Sequence, residues 1–326
     1  MEAFLAPWLG KPLWMWLLFL AVVVILLALD LGVLHRKARM IGVRESLWMS
    51  GFYTSIALLF GVWVWSSLGE QAGEEYLTGF LVEKSLAIDN VFVISLIFGY
   101  FAVPPALQHR VLLWGIVGVI VLRAIMIGIG AALVAEFAWV LHVFAIFLVI
   151  TGVKMLMSGD KPPDIASNPL LKLLTRLLRV TPRLEGERFF VRRPHPVTGK
   201  RVLWVTPLFV ALLSIEFVDL VFAIDSVPAI FALTDDPFIV YTSNIFAILG
   251  LRALYFALAV MIARFRYLKP ALAVILIFIG GKIFVADLAG WEKFPASISL
   301  AVTLSLLAGG IAVSLWRTRP VRRVHR

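Results

Sequence analysis

Two apolar segments, each long enough to cross a lipid bilayer, carry acidic side chains near their centres. The first contains Glu83 and Asp89, and the second contains Glu216, Asp219 and Asp225. A charged side chain at the centre of a bilayer costs about 2.5 to 3.5 kcal/mol on insertion scales, so these groups cannot all face lipid unpaired. We therefore expect them to face one another, water, cations or basic side chains inside a helical bundle.

The composition is typical of a polytopic membrane protein. Of the 326 residues, 61% are hydrophobic and only 15% are charged, which leaves too little polar surface to cover a soluble globule. Since a span needs about 20 apolar residues, the sequence predicts an all-α membrane protein with nine transmembrane helices. The predicted spans lie near residues 14–34, 46–68, 76–101, 111–133, 137–157, 203–232, 238–262, 271–288 and 296–316.

The basic residues predict the orientation of the chain. Lys and Arg collect after the odd-numbered spans, whereas Glu70, Glu74, Glu75, Asp235 and Asp236 collect on the opposite side. The positive-inside rule then places the N-terminus outside and the C-terminus in the cytoplasm. A nucleic-acid surface is the other explanation for a net charge of +10, but membrane orientation explains that charge without further assumptions, so we expect no nucleic-acid partner.

The third to fifth spans resemble the sixth to eighth. Residues 87–89 and residues 223–225 both read Ala-Ile-Asp, and this alignment superimposes Glu83 on Asp219. The further matched pairs are Arg123 with Arg252 and Lys154 with Lys282. Because three helices separate the copies, the two halves run in opposite directions, which predicts an inverted 3+3 repeat of the kind that builds alternating-access transporters.

The repeat divides the chain into five predicted parts. These are two N-terminal helices (1–75), the first repeat (76–157), a basic cytoplasmic loop (158–202), the second repeat (203–288) and a last helix with a basic tail (289–326). Within the loop, Asn168-Pro169 and the leucines that follow predict a short amphipathic helix on the inner leaflet. The stretch from Arg188 to Trp204 alternates and turns at Thr198-Gly199, which favours a β-hairpin.

The polar residues of the two acidic motifs form an oxygen-only ligand set. Asn90 and Ser226 stand beside the acids, the chain has no cysteine, and neither motif contains histidine. Such a set suits hard cations such as Mn²⁺, Mg²⁺ or Ca²⁺ better than copper or zinc. Asn244 is a further candidate ligand, whereas Asp30 is better explained by an interfacial pair with His35 or Arg36.

The spacing of the acids predicts a distorted backbone. Glu216 and Asp219 share a helix face, but residues six apart lie about 120° around a straight helix. For Asp219 to converge with Asp225, and Glu83 with Asp89, their helices should unwind or kink. Pro228 would break the helical hydrogen bond to the Ile224 carbonyl.

Five basic residues within or near the spans are candidates for charge balance. They are Lys84, Arg123, Lys154, Arg252 and Lys282. Arg123 and Arg252 lie near mid-span, where they could neutralise the acids when no cation is bound or could form fixed salt bridges between helices. Lys154 lies near the inner end of its span, where snorkelling to the membrane surface explains it.

The motifs resemble one known family. Glu83-Lys-Ser-Leu-Ala-Ile-Asp-Asn-Val-Phe-Val, the matching motif from Glu216, and Thr242-Ser-Asn-Ile-Phe-Ala-Ile-Leu-Gly-Leu-Arg-Ala are similar to the TerC family, and within it to the bacterial Alx-type proteins. The resemblance covers roughly residues 13–317. It implies a multi-pass protein of the bacterial inner membrane that exports manganese and is not an enzyme. It also implies that the metal-binding acids are Glu83, Asp89, Glu216, Asp219 and Asp225.

Two other functions stay open at this point. An intramembrane aspartyl protease could use Asp89 and Asp225 as paired acids, although the other three acids would then have no role. A non-transporting scaffold that assembles or metallates exported proteins would use the acids structurally. Membrane lipid and a divalent cation are the expected partners, and the sequence predicts no oligomeric state.

Overall fold

A computed structural model of the chain describes residues 7–29, 42–137, 139–157, 173–174, 176–194, 199–261, 268–291 and 293–317. Within these ranges the side chains of Asp89, Arg252 and residues 259–261 are not described. Asp30, its predicted partners His35 and Arg36, and nearly all of the predicted amphipathic helix lie outside the described residues.

The described chain is mostly helical, and each predicted span contains helix. The helices are α1 (Leu13–Leu29), α2 (Val43–Leu68), α3 (Glu70–Tyr100), α4 (Pro105–Glu136), α5 (Val140–Met157), α6 (Pro207–Phe231), α7 (Pro237–Leu249), α8 (Leu251–Met261), α9 (Leu268–Ala289) and α10 (Ala296–Arg317). Helices α7 and α8 together occupy the seventh predicted span. The strands are β1 (Pro7–Trp8), β2 (Lys11–Pro12), β3 (Phe190–Pro194) and β4 (Arg201–Val205).

Proline and capping residues set the start of several helices. Pro105, Pro207 and Pro237 each occupy the first helical position, where a missing N–H costs nothing because that donor would lack a helical partner. At the start of α7, the Asp236 carboxylate also accepts a hydrogen bond from the Phe238 amide at 3.0 Å. These prolines therefore mark the first residues of α4, α6 and α7.

Six of the described helices are each long and apolar enough to cross a membrane. They are α2, α4, α5, α6, α9 and α10. Helix α3 is longer than most of these, but its central part carries Glu83, Lys84 and Asp89. The chain is thus an integral multi-pass membrane protein, while the count of nine spans stays a prediction.

Helix α7 lies at the centre of the bundle. Eleven of its 13 residues are buried, which is the pattern of a helix covered on every side. Its aromatic side chains pack against the N-terminal helices. The ring centre of Phe246 lies 4.7 Å from that of Phe60 of α2, and the ring centre of Phe238 lies 5.1 Å from that of Trp16 of α1. Helices α1 and α2 therefore cover one side of α7 and keep it from lipid.

The hairpin predicted in the basic loop is present. Strands β3 and β4 pair antiparallel, with Phe190 opposite Val205 and Pro194 opposite Arg201. Thr206, immediately before α6, donates from its amide to the Phe189 carbonyl at 2.9 Å and from its hydroxyl to the Arg188 carbonyl at 2.7 Å. The hairpin is thus hydrogen-bonded directly to the start of α6.

Unwinding of the acidic motifs, one of the two predicted distortions, is wrong for the described backbone, while a kink stays a prediction. Residues 81–94 lie within α3 and residues 215–228 lie within α6, both as continuous helix, and Pro228 is accommodated inside α6. The interruption falls instead at Gly250, between α7 and α8. Convergence of residues six apart is not needed, because Asp219 and Asp225 face different neighbours.

Two glycines allow α5 and α9 to pack closely. A methyl group at Gly280 would lie 2.5 Å from the Ala145 carbonyl oxygen, and one at Gly152 would lie 2.7 Å from the Ala273 carbonyl oxygen. Small residues at such crossings let two helix backbones approach. The absence of a side chain at both positions is therefore a requirement of this contact.

Substituting Gly280 should destabilise the protein, whereas substituting its neighbour should not. Gly280→Ala would force α5 and α9 apart, with an expected loss of about 1 to 3 kcal/mol from overpacking. Gly281→Ala is the matched control, since a methyl group there meets no atom within 4 Å. Thermal unfolding in detergent checks the prediction, and equal melting temperatures for the two variants would contradict it.

Candidate cation site

The guanidinium of Arg123 joins two carboxylates from different helices. Arg123 on α4 lies 2.6 Å from Glu83 Oε1 on α3 and 3.3 Å from Asp219 Oδ2 on α6. Arg123 and Asp219 are 96 residues apart in the sequence. The arginine therefore holds α3, α4 and α6 together at one point.

Three uncharged polar side chains complete this group. Arg123 donates to Ser226 Oγ at 2.7 Å and to Asn244 Oδ1 at 3.3 Å. Asn244 in turn donates to Glu83 Oε2 at 3.3 Å, and Asn90 donates to Asp219 Oδ1 at 3.1 Å. Together with Glu83, Arg123 and Asp219 they form what we call the Arg123 cluster.

The Arg123 cluster is buried and carries an excess of negative charge. Arg123 is 1% exposed, Glu83 0% and Asp219 6%. When all three are ionised, two carboxylates and one guanidinium leave one negative charge. Burial of an uncompensated charge costs several kcal/mol, so the cluster has an electrostatic reason to attract a further cation.

A cavity of about 420 Å³ adjoins the Arg123 cluster. Liquid water occupies about 30 Å³ per molecule, so there is room for several waters or for a hydrated ion. The polar groups that line it are Glu83, Asn90, Arg123, Ser226, Thr151, Lys154, Asp225 and Lys269. Since Lys154 lies near the end of α5 and Lys269 near the start of α9, the cavity extends toward the end of the bundle that carries the basic loop.

Asp225 belongs to the cavity and makes no contact with Arg123. Its carboxylate accepts a long hydrogen bond of 3.4 Å from Thr151 on α5. Asp219, six residues earlier on α6, points to Arg123 instead. Asp219 and Asp225 therefore contribute to one polar region from two directions, Asp219 inside the cluster and Asp225 on the wall of the cavity.

Glu216 lies apart from the Arg123 cluster. Its carboxylate packs against Gly118 of α4, where a methyl group would come within 2.5 Å of the carboxyl atoms. Among the described residues neither Glu216 oxygen has a hydrogen-bond partner. Glycine at position 118 is what leaves space for this acid.

Lys84 lies at the break between α7 and α8. Its ammonium donates to the Ala247 carbonyl at 3.4 Å, and a methyl group at Gly250 would lie 2.5 Å from it. A cation is stabilising at a helix C-terminus because the last carbonyls are unpaired. Lys84 therefore caps α7 and takes no part in the Arg123 cluster.

Lys282 lies far from the cluster, in the half of the bundle away from the basic loop. It is 5% exposed, donates to Ser299 Oγ at 3.0 Å and lies 6.0 Å from the centre of the Phe294 ring. It also lines a separate cavity of about 270 Å³ together with Glu75 and Asp287.

The structure brings together six of the predicted site residues. Glu83, Asn90, Arg123, Asp219, Ser226 and Asn244 are in mutual contact. The predicted ligand Asp89 and the predicted counter-charge Arg252 lie outside the described side chains. Among those that are described, no three acidic or histidine side chains form a group suited to a metal ion. Assignment of the five acids as ligands therefore stays a prediction.

Sequence reasoning missed Thr151 and Lys269 as cavity residues. Thr151 immediately precedes Gly152 in the repeated segment. This position within the repeat is the one sequence feature that could have indicated a role for Thr151 in the cavity. Lys269 follows a stretch of basic residues and carries no pattern that separates it from them.

Removing the guanidinium should destabilise the protein strongly. Arg123→Met keeps most of the side-chain volume but leaves Glu83 and Asp219 unpaired, with an expected loss of about 3 to 5 kcal/mol. Adding Glu83→Gln should restore part of this loss, because one buried charge is removed. Thermal unfolding in detergent measures both effects.

The matched control for Arg123 is Arg110. This residue forms an exposed 2.8 Å ion pair with Glu187, and such pairs are typically worth about 0 to 1 kcal/mol. Arg110→Met should therefore cost much less than Arg123→Met. Similar losses for the two variants would show that Arg123 does not compensate the buried acids.

Comparison with known proteins places the sequence of this chain in a family. The model of the family described as "Integral membrane protein TerC family" matches residues 68–322. An uncharacterized membrane protein of Rickettsia bellii is 49% identical over 94% of this chain and 99% of its own length. One from Myxococcus xanthus is 46% identical over 98% of this chain and 96% of its own length.

A relative with a more specific name comes from Salmonella typhi. It is called "Putative membrane-bound redox modulator Alx" and is 45% identical over 94% of this chain and 95% of its own length. No solved structure matches the chain. The family match spans most of the sequence and includes every residue of the Arg123 cluster, and we conclude that the chain is a member of the TerC family of integral membrane proteins.

Proposed function

We propose that this protein exports a divalent metal cation, with Mn²⁺ as the leading candidate, across the inner membrane of a bacterium. Transport would proceed by alternating access around the Arg123 cluster and its cavity. The N-terminus would lie outside and the C-terminus in the cytoplasm, as the positive-inside rule predicts. No catalytic reaction is part of the proposal.

The observation that carries the proposal is a buried, net-negative cluster joined to a cavity with room for a hydrated ion. Two carboxylates of the cavity wall, Glu83 and Asp225, come from α3 and α6, which are equivalent helices of the predicted repeat. The pairing of helices also supports the repeat, because α3 packs on α7 and α4 packs on α6. In an inverted repeat α3 corresponds to α6 and α4 corresponds to α7 with α8, so the α3–α7 and α4–α6 contacts are equivalent. The substrate site of such a repeat lies at the interface between its two halves.

A cation at this site would compete with Arg123. In the described arrangement the guanidinium occupies the position between Glu83 and Asp219, so it compensates them when the site holds no metal. A divalent ion near Glu83 and Asp225 would supply two positive charges and would weaken the hold of Arg123 on Glu83. Exchange of one positive group for another keeps the acids compensated at each step, which avoids the cost of an unpaired buried charge.

The choice of manganese rests on the resemblance to the family. Carboxylate, amide and hydroxyl oxygens suit Mn²⁺, Mg²⁺ and Ca²⁺ alike, so ligand chemistry does not rank them. The redox role in the name of the Salmonella relative could not use thiol chemistry in this chain, which contains no cysteine. Metal transport makes direct use of the buried acids.

Cation flux into proteoliposomes tests the proposal. Purified protein is reconstituted around an entrapped fluorescent metal indicator, and MnCl₂ is added outside. Asp225→Asn should lower the initial rate about tenfold or more, since an interaction with a charged group is worth about 1.5 to 3 kcal/mol. Competition by MgCl₂ and CaCl₂ then ranks the substrates.

The matched control is Glu136→Gln. Glu136 is an exposed carboxylate at the last residue of α4 and lines neither the cavity of Asp225 nor that of Lys282, so its substitution should leave the flux near that of the parent. Full flux in a folded Asp225→Asn protein would contradict the proposed site. Equal flux in liposomes with and without the parent protein would contradict transport and favour the scaffold alternative.

A further inference from the structure

The contact between α5 and α9 is reciprocal. Gly152 of α5 packs against Ala273 and Ile277 of α9, while Gly280 of α9 packs against Ala145 and Val149 of α5. Both helices read Ala, then Val or Ile four residues later, then Gly after three more. Contacts in which equivalent residues exchange partners are the mark of a two-fold axis.

This reciprocal contact makes Lys154 and Lys282 equivalent residues. Each lies two positions after the glycine of its helix, Lys154 after Gly152 and Lys282 after Gly280. A two-fold axis between two inverted halves places the equivalent positions toward opposite faces of the membrane.

The two lysines nevertheless have opposite environments. Lys154 is exposed and lines the larger cavity, near Asp225. Lys282 is buried, with its ammonium on Ser299 and the Phe294 ring. Part of this difference comes from α10, which lies outside the repeat and carries Ser299. The two cavities differ as well, because the cavity of Lys154 reaches Glu83 and Arg123 whereas the cavity of Lys282 reaches neither. The molecule as a whole is therefore in an asymmetric state.

We infer that Lys154 and Lys282 are the equivalent lysines of two access paths. The Lys154 path is open as far as the Arg123 cluster in this structure, whereas the Lys282 path is closed between its own cavity and the cluster. The inference rests on the alternating access of the proposed function. It adds that Lys154 and Lys282 are positioning residues, one for each access path. Tilting the halves about the α5–α9 contact would bury Lys154 and expose Lys282. The α5–α9 contact would be preserved during this tilt, because equivalent residues of the two helices make the same contacts.

The chemistry of a lysine suits this position. Its ammonium is a compact charge on a flexible stem, so it can remain near the acid of an open path when no ion is there and move aside when a divalent cation arrives. In the closed path the hydroxyl of Ser299 and the face of Phe294 hold the same group without a carboxylate within ion-pair distance among the described residues. Lys282 can therefore leave that position without breaking a salt bridge.

Thiol labelling tests the inference, because the chain has no native cysteine. Lys154→Cys and Lys282→Cys are reconstituted separately and treated with a membrane-impermeant maleimide from one side of the vesicle or from the other. We expect position 154 to react only from the side of the basic loop. Position 282 should react only from the opposite side, and its rate should rise about tenfold when a MnCl₂ gradient drives turnover and shifts the populations of the two states.

A second pair of variants keeps both lysines in place. Thr151→Cys lies on the wall of the open cavity beside Lys154, and Ser299→Cys lies at the ammonium of Lys282. These positions should follow 154 and 282 respectively in sidedness. Labelling of 282 and 299 from the same side as 154 and 151, or no labelling of them under any condition, would overturn the inference.

The labelling result is separable from the result for the proposed function. If Mn²⁺ flux depends on Asp225 while positions 282 and 299 stay unlabelled, the lysine inference fails and cation transport stands. If Mn²⁺ flux is absent but 282 and 299 label from the side opposite to 154 and 151, the two access paths stand and the choice of substrate fails.

Discussion

Compensation of buried carboxylates is the constraint on which the structure depends. Glu83 and Asp219 come from different helices and are almost completely buried. The guanidinium of Arg123 satisfies both because its planar group can donate in several directions at once. Asn244 and Ser226 occupy the remaining donor directions, so the positions of four helices are set by one side chain.

The centre of the bundle combines this polar group with an apolar support. Helix α7 is buried on nearly all sides and supplies Asn244 from the same short segment whose aromatic residues pack against α1 and α2. Its C-terminal carbonyls are met by Lys84, which reaches them because Gly250 has no side chain. The added N-terminal helices therefore help to position a polar site that they do not contact.

Much of this arrangement follows from hydropathy and charge alone. Each predicted span contains helix, and the acids were expected to face one another, water, cations or one of five basic residues. The structure brings one of these five, Arg123, to Glu83 and Asp219. The route of the backbone through the motifs could not be inferred in this way. We expected Asp219 and Asp225 to converge on one site through a distorted helix, but their partners, Arg123 on α4 and Thr151 on α5, come from other parts of the chain.

Glycines account for another part that the sequence did not reveal. Gly118 makes space for Glu216, Gly250 for Lys84, and Gly152 and Gly280 for the α5–α9 contact. A glycine carries no sign of which neighbour approaches it, so these roles depend on the tertiary structure. The same limit applies to Lys269, which only the folded chain places beside the cavity.

The β3–β4 hairpin has a mechanical consequence for the acidic motif. Thr206 anchors it to the first turn of α6 through two hydrogen bonds, and Arg110 anchors it to the start of α4 through Glu187 and the face of Phe189. Helices α6 and α4 carry Asp219 and Arg123 at a greater depth. A displacement of the hairpin would therefore be transmitted through α6 and α4 toward the buried ion pair of Asp219 with Arg123.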